Sequence, residues 1–266
     1  MLIEPHVSGW MEMLCARSPA VADDEHLYLL VDGAFIPGIH RHIHPERKAM
    51  LFASLPGCSS EALDMSPFLT PWDAQNKNLR RLLERCSGWP MVSVIQTGEP
   101  LPKLAARLAA WSVVEADGQR FHLRYADTRR LPAIVEAMSG EQRAQMLGPA
   151  VNWAYSGRDG AWHQLRFDGA DTDAAAHPSF DERQFGTLVE DSRVDEMLAL
   201  FAQRDAGPPK PPLQSYQLVS QALAIASGAS LPDAELLAWC EFVWHEGVTQ
   251  PISTLPSRFA HWRTTR

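Results

Sequence analysis

Long apolar runs are missing from this 266-residue sequence. No stretch approaches the ~18 consecutive apolar residues that a membrane-crossing helix needs. The opening Met1-Leu-Ile-Glu-Pro-His6 has neither the basic n-region nor the apolar h-region of a secretory signal. The chain is therefore expected in the cytoplasm and off the membrane. A basic excess is missing too: 24 Lys and Arg stand against 32 Asp and Glu, for a formal charge of -8. That leaves no chain-wide electrostatic footprint for nucleic acid or anionic lipid. Cysteine is sparse, and Cys15, Cys58, Cys86 and Cys240 form no C-x-x-C pair, so neither a zinc site nor a redox motif is expected. The common catalytic signatures are lacking as well: no G-x-S-x-G elbow, no P-loop, no G-x-G-x-x-G after a strand and no H-E-x-x-H. No cofactor is expected.

What the chain does have is 45% hydrophobic residues, enough for a core at this length. His26 to Val31 is a near-continuous apolar run that stops at Asp32-Gly33, as a strand buried on both faces does. Val7 to Arg17 and Asp73 to Cys86 carry apolar residues at helical spacing, and Leu101 to Trp111 does so behind Pro100 and Pro102. Short strands are expected near Met50 to Ala53 and over Met91 to Gln96. Asp117-Gly118 sits between Ser112–Glu115 and Arg120–Tyr125 and predicts a tight hairpin. Asp127 is placed to cap the next helix, Ser139-Gly-Glu-Gln142 has capping-box spacing, and Gly148-Pro149 ends that helix. Strands then follow over Val151–Tyr155 and Trp162–Phe167.

Residues 168–179 are rich in Ala, Asp and Gly without apolar period and read as a linker. Beyond Phe180 only helical stripes recur, interrupted at Ala206-Gly-Pro-Pro-Lys-Pro-Pro212. The expected architecture is an α/β (α+β) lobe over residues 1–167, with helices flanking a mixed β-sheet. A smaller all-helical lobe over 180–266 follows the linker.

Three groups of residues bear on chemistry. His40-Arg-His-Ile-His44 sets three imidazoles at alternate positions, which on a strand face one side and suit zinc, nickel or copper. A metal-dependent hydrolase built on His40, His42 and His44 is the alternative this leaves open, against a plain loop between Pro37-Gly38 and Pro45. Asp32 is either a catalytic carboxylate at a strand end or a turn cap paired with Gly33. Arg124, Asp127, Arg129 and Arg130 form either an anion pocket or a clamp fixing a strand-to-helix junction. Between Asp168 and Asp205, ten acids face three arginines. That stretch is either a solvated face or a surface that steers a basic partner. Of the nine tryptophans, Trp153, Trp162, Trp239 and Trp244 fall on periodic core faces, though Trp is also favoured where proteins meet.

One set of motifs carries a family resemblance. His26-Leu-Tyr-Leu-Leu-Val-Asp-Gly-Ala34, Ser66-Pro-Phe-Leu69, Trp89, Leu104 to Trp111, Arg120-Phe-His-Leu-Arg-Tyr-Ala-Asp-Thr-Arg-Arg-Leu131 and Gly148-Pro-Ala-Val-Asn-Trp153 occur in that order. Together they resemble the domain of unknown function that defines one class of type VI secretion effector adaptors. The set covers about residues 26 to 167; Ala126-Asp-Thr departs from the family's usual Asp-Pro pair after an aromatic. The resemblance implies a non-catalytic protein that binds an effector toxin and helps load it onto the valine-glycine-repeat (VgrG) spike protein. It also implies that Asp32, Gly33, Arg124, Asp127, Gly148 and Trp153 are scaffold positions. Cargo recognition then falls to the helical lobe and the inter-lobe cleft, with Asp191, Asp195, Glu196, Trp239 and Trp244 as candidate contacts.

Overall fold

Strand β1 (His26–Val31) explains the whole first unit. Side chains alternate across a strand, so Leu27, Leu29 and Val31 enter one apolar cluster while Tyr28 and Leu30 enter another on the opposite face. A strand with a core on each side has no polar face, hence the unbroken apolar run. The computed structural model describes residues 2–17, 22, 24–165, 170, 172–204, 211–246 and 251–265. Among these, two compact units are distinguished, Met1–Leu188 and Val189–Arg266.

In the first unit β1 lies between β3 (Phe68–Pro71) and β4 (Val92–Thr97), with Leu29 opposite Thr70 on one side and Val94 on the other. The sheet is completed by β2 (Ala49–Met50), β7 (Ala150–Ser156) and β8 (Trp162–Gln164) in the order β2-β3-β1-β4-β7-β8. The fold is α+β as expected, but every pairing in this sheet is antiparallel where a mixed sheet is expected. The reason lies in the excursion between β4 and β7. It leaves and re-enters at the same end of the sheet, so its helices do not make the crossover that parallel neighbours need.

That excursion holds α4 (Leu101–Ala110), the hairpin β5 (Val113–Ala116) and β6 (Gln119–His122), then α5 (Leu131–Ala137) and α6 (Gly140–Leu147). The hairpin turn is the expected one, with Asp117 and Gly118 both at positive φ. Ser139 and Gln142 close the expected capping box on α6. Leu104, Leu108, Trp111, Ile134, Leu147 and Trp153 meet in the cluster behind Tyr28 and Leu30. On the other face, α1 (Trp10–Cys15) and α3 (Lys77–Arg85) cover Leu27, Leu29 and Val31. Asn76 caps α3 by accepting from the amides of Asn78 and Leu79. Two elements have no counterpart in the apolar pattern: α2 (Ser60–Met65), capped by Ser59, and β3 itself. At the N-terminus His6 stacks on Trp10 and Trp10 on Trp162, with ring centroids 3.8 and 4.4 Å apart.

After β8 the expected strand end at Arg166 and Phe167 lies outside the described residues, as do 168, 169 and 171 of the expected linker. Ala175 packs on the first unit's core, and Ser179 bridges to Glu115 beside β5. Helix α7 (Glu182–Gln203) begins in this unit because Phe185 and Leu188 pack on the same core, Phe185 lying 4.4 Å from the Phe121 ring.

The second unit contains the rest of α7, α8 (Pro212–Gly228), α9 (Asp233–Glu246) and α10 (Leu255–Thr264). Most of the interrupting Ala206–Pro212 stretch lies outside the described residues. Trp239 is the hub: its Nε1 donates to the Ala222 carbonyl at 2.9 Å, and Phe259 and Trp262 lie 4.9 and 5.5 Å from its ring.

Candidate functional site

Four charged residues from distant motifs meet at the end of β1. The Asp32 amide still donates to the sheet, to the Met91 carbonyl at 2.9 Å, while Oδ1 of its side chain accepts from the Ala34 amide at 3.0 Å. Asp32 thus caps the short 3-10 helix Gly33–Phe35, which is the turn-cap reading of this residue. Gly33 is required there because a Cβ would lie 2.5 Å from the Ser66 carbonyl oxygen. The Phe35 ring that follows lies beneath two guanidinium groups, with the Arg124 and Arg129 carbons 5.1 and 5.6 Å from its centroid.

Arg124 donates from Nη2 to Asp32 Oδ2 at 2.9 Å, and the same nitrogen lies 4.0 Å from Asp127 Oδ2. Asp127 is held two-handed by Arg129, Nε to Oδ1 at 3.0 Å and Nη2 to Oδ2 at 2.7 Å. The expected role of Asp127 as cap of the next helix is not what forms. Helix α5 starts four residues on, behind Arg130, and the carboxylate instead binds Arg129 side chain and amide. Thr128 anchors the segment to the sheet, its amide donating to Pro90 O at 2.9 Å and its hydroxyl to Ser156 O at 2.7 Å. The four charges therefore form the clamp at the junction between β6 and α5.

Asp32 and Asp127 are buried, whereas the Arg124 side chain is 41% exposed. Burial pushes the Asp32 carboxyl above its ordinary range, against the opposing pull of Arg124 and the Ala34 amide. Nε and Nη1 of Arg124 make no hydrogen bond among the described residues. Its open side borders a cavity of about 240 Å³ lined by apolar groups that include Phe52, Met65, Leu123 and Tyr125. Met65 is 44% exposed at the rim, and the His122 ring meets Phe52 edge-on at 5.0 Å. Chemically, this arrangement suits gripping an apolar side chain beside a carboxylate.

The other scaffold candidates lie away from this site. Trp153 is buried and donates from Nε1 to Ser93 Oγ at 3.1 Å. Gly148 sits at φ 54, ψ -142, directly over the Arg107 guanidinium. Arg107 is 1% exposed and grips Glu99 with two bonds, Nε to Oε2 at 2.9 Å and Nη2 to Oε1 at 2.7 Å, while Nη1 donates to Gln145 O. Burial raises the Glu99 carboxyl, but the bonds and charges of Arg107 and Lys103 outweigh it and hold the group below its ordinary value. This pair carried one missed signal: Arg107 falls on the buried stripe of α4 between Leu104 and Leu108.

The three histidines do not converge. The segment forms 3-10 helix Ile39–His42 and a second one at Pro45–Arg47 instead of a strand, so alternate positions no longer share a side. His40 Nε2 meets Asp64 at 3.1 Å, with Lys48 on its other nitrogen; His42 accepts from Arg85; His44 accepts from the Glu46 amide. Among the described residues no group of three His, Cys, Asp or Glu is arranged to hold a metal ion.

In the second unit, Trp239 and Trp244 are 0% and 9% exposed. As partner contacts they are corrected to core: the helical spacing that marks them reflects packing against Phe259, Trp262 and Phe201. Of the acidic candidates on α7, Asp191 and Asp195 are partly exposed, and Glu196 is exposed and accepts from Ser192. Nearby, Arg193 pairs with Glu190 at 3.1 Å and Asp233 at 3.5 Å.

No described helix is long and apolar enough to cross a membrane. No curated protein and no solved structure matches the chain. With the geometry of the clamp in place, one comparison locates it: residues 27–145, which contain all four of its charged groups, match the family model described as Domain of unknown function (DUF4123).

Proposed function

We propose that this chain is a cytoplasmic adaptor of a type VI secretion system, one that binds an effector toxin protein and helps load it onto the VgrG spike without catalysing a reaction. The observation that supports this reading best is the family match over 27–145, read together with where the resembling motifs go. Asp32 comes from one motif, Arg124 and Asp127 from another, and the three end in one ion-paired clamp, which is what scaffold positions do. Both carboxylates of that clamp are occupied by guanidinium groups, an arrangement suited to holding shape rather than to moving protons. The exposed edge of Arg124 and the apolar cavity beside it suit contact with another protein, and the acidic face of α7 supplies a second surface.

Coexpression of the full chain with the effector encoded beside it tests the proposal. The expected result is a stoichiometric complex on pull-down and a larger soluble fraction of effector. An effector that is soluble and exported without this chain, and never retained by it, overturns the reading.

A further inference from the structure

Helix α3 turns Leu79, Leu82 and Leu83 inward and leaves Lys77, Arg80 and Arg81 exposed. Among the described residues none of those three cations has an ion-pair partner. Arg85, at the end of the helix, donates from Nη1 to His42 Nε2 at 2.7 Å instead of to a carboxylate. That bond lays the segment 40–48 alongside α3, bringing exposed His42 to the same surface together with exposed Arg41 and Arg47, which are paired with Asp64 and, at 3.6 Å, with Asp73. Seven Lys or Arg of residues 40–48 and 77–85 stand against four acids, Glu46, Glu84 and the Asp64 and Asp73 that pair with Arg41 and Arg47, in a chain whose charge is -8. The sign of the surface reverses here.

We propose that α3 and the adjoining 40–48 segment form a docking surface for an acidic segment of a partner protein. Arginine outnumbers lysine on it, and the guanidinium fork matches carboxylates two bonds at a time. A nine-residue helix rises only about 13 Å, which suits a few consecutive acidic side chains better than a long polyanion. Glu84 lies within the face, one to four residues from Arg80, Arg81 and Arg85. It repels an unbroken row of phosphates, whereas a protein segment can set a hydroxyl or an amine opposite it. The net negative charge of the chain also opposes long-range capture by nucleic acid or an anionic membrane. This inference does not depend on the secretion-adaptor reading.

The test uses the full chain and a fluorescein-labelled peptide of alternating Glu and Gly, followed by anisotropy at low and high salt. The expected result is binding that weakens as salt rises, and that weakens about tenfold in the triple variant Lys77→Gln, Arg80→Gln, Arg81→Gln. Circular dichroism and melting of that variant should match the unmodified chain, since all three side chains are exposed. Charge reversal at the same positions should remove binding. The proposal is overturned by absence of peptide binding to the unmodified chain or by equal binding to the variants. Tighter binding to an oligo(dT) strand, or to phosphatidylglycerol vesicles, than to the peptide overturns it as well.

Discussion

Replacing Gly148 with alanine should cost the first unit about 3 to 5 kcal/mol, and the sum can be worked from two contributions. The backbone at φ 54, ψ -142 lies where only glycine is comfortable, which for another residue costs about 1–3 kcal/mol. The added Cβ would also stand 2.6 Å from Cζ and Nε of Arg107. Arg107 has nowhere to retreat, because Glu99 holds two of its nitrogens and the Gln145 carbonyl a third. Shifting it enough to relieve the overlap sacrifices at least one charged hydrogen bond in a buried place, about 1.5–3 kcal/mol. At roughly 2–4 °C per kcal/mol for a domain of this size, the midpoint should fall by about 6–20 °C. The decisive assay is a double-mutant cycle with Arg107→Met, read by urea unfolding and calorimetry of the full chain. Once the guanidinium is gone, Gly148→Ala should cost only its backbone share, so the two losses should fall short of additive by about 2 kcal/mol. Additivity within about 0.5 kcal/mol, or a loss below ~1 kcal/mol for Gly148→Ala alone, would refute the close-contact argument.

Three further outcomes are expected. His6 lies flat on Trp10, and burial pushes its imidazole from 6.5 down to about 4. The fold therefore favours the neutral ring, and stability present above pH 6.5 is lost as pH falls toward 4. His6→Phe should keep the stack and flatten that part of a pH-stability profile; an unchanged slope rejects the assignment. Glu99 titrates below its ordinary 4.5, so its contribution is present above that value and disappears as pH drops through the folded one. Glu99→Gln should cost about 3 kcal/mol at neutral pH by stranding Arg107, yet remove part of the acid limb, which acid titration of unfolding would reveal. Trp239→Ala should cost the helical unit about 3–5 kcal/mol, since a fully buried indole and its bond to Ala222 are lost; a shift under ~1 kcal/mol in the urea midpoint would show that the core closes around the gap.

The fold was most legible where one physical rule governs a segment. The unbroken apolar run of β1 announces a strand with a core on each face, Asp117-Gly118 announces the hairpin, and Ser139 with Gln142 announces the start of α6. Less legible were elements whose stabilisation comes from elsewhere. Strand β3 is short and ends in Pro71, and it exists because it pairs with β1 on one side and β2 on the other; no periodicity within Phe68–Pro71 reveals that. The antiparallel sense of the sheet was hidden for a similar reason, since alternation of strands and helices does not say at which end each excursion re-enters. For the clamp, the residue types of Arg124, Asp127 and Arg129 were visible, but the pairing of Arg124 with Asp32 spans 92 positions. Phe35, the ring under both guanidinium groups, sits next to a strand end like any loop aromatic. Spacing misled at one place and informed at another. The imidazoles of His40, His42 and His44 alternate only if the segment is extended, and the 3-10 helix at Ile39–His42 sends them to separate partners. Trp239 and Trp244 repeat at helical spacing because they pack inward.

The ends of the main sheet carry a consequence for how this chain behaves in company. Among the described residues its two outer strands are only two and three residues long, β2 at Ala49–Met50 and β8 at Trp162–Gln164, and on the small hairpin the outer side of β5 is already met by Pro178–Phe180 of the same chain. Unpaired backbone at a long strand edge is a template on which foreign strands polymerise. Edges this short offer few successive amides and carbonyls to copy. A protein proposed to hold another at close quarters is thereby insulated from growing a shared sheet with it, so that recognition is left to side chains and release does not require unzipping a ladder.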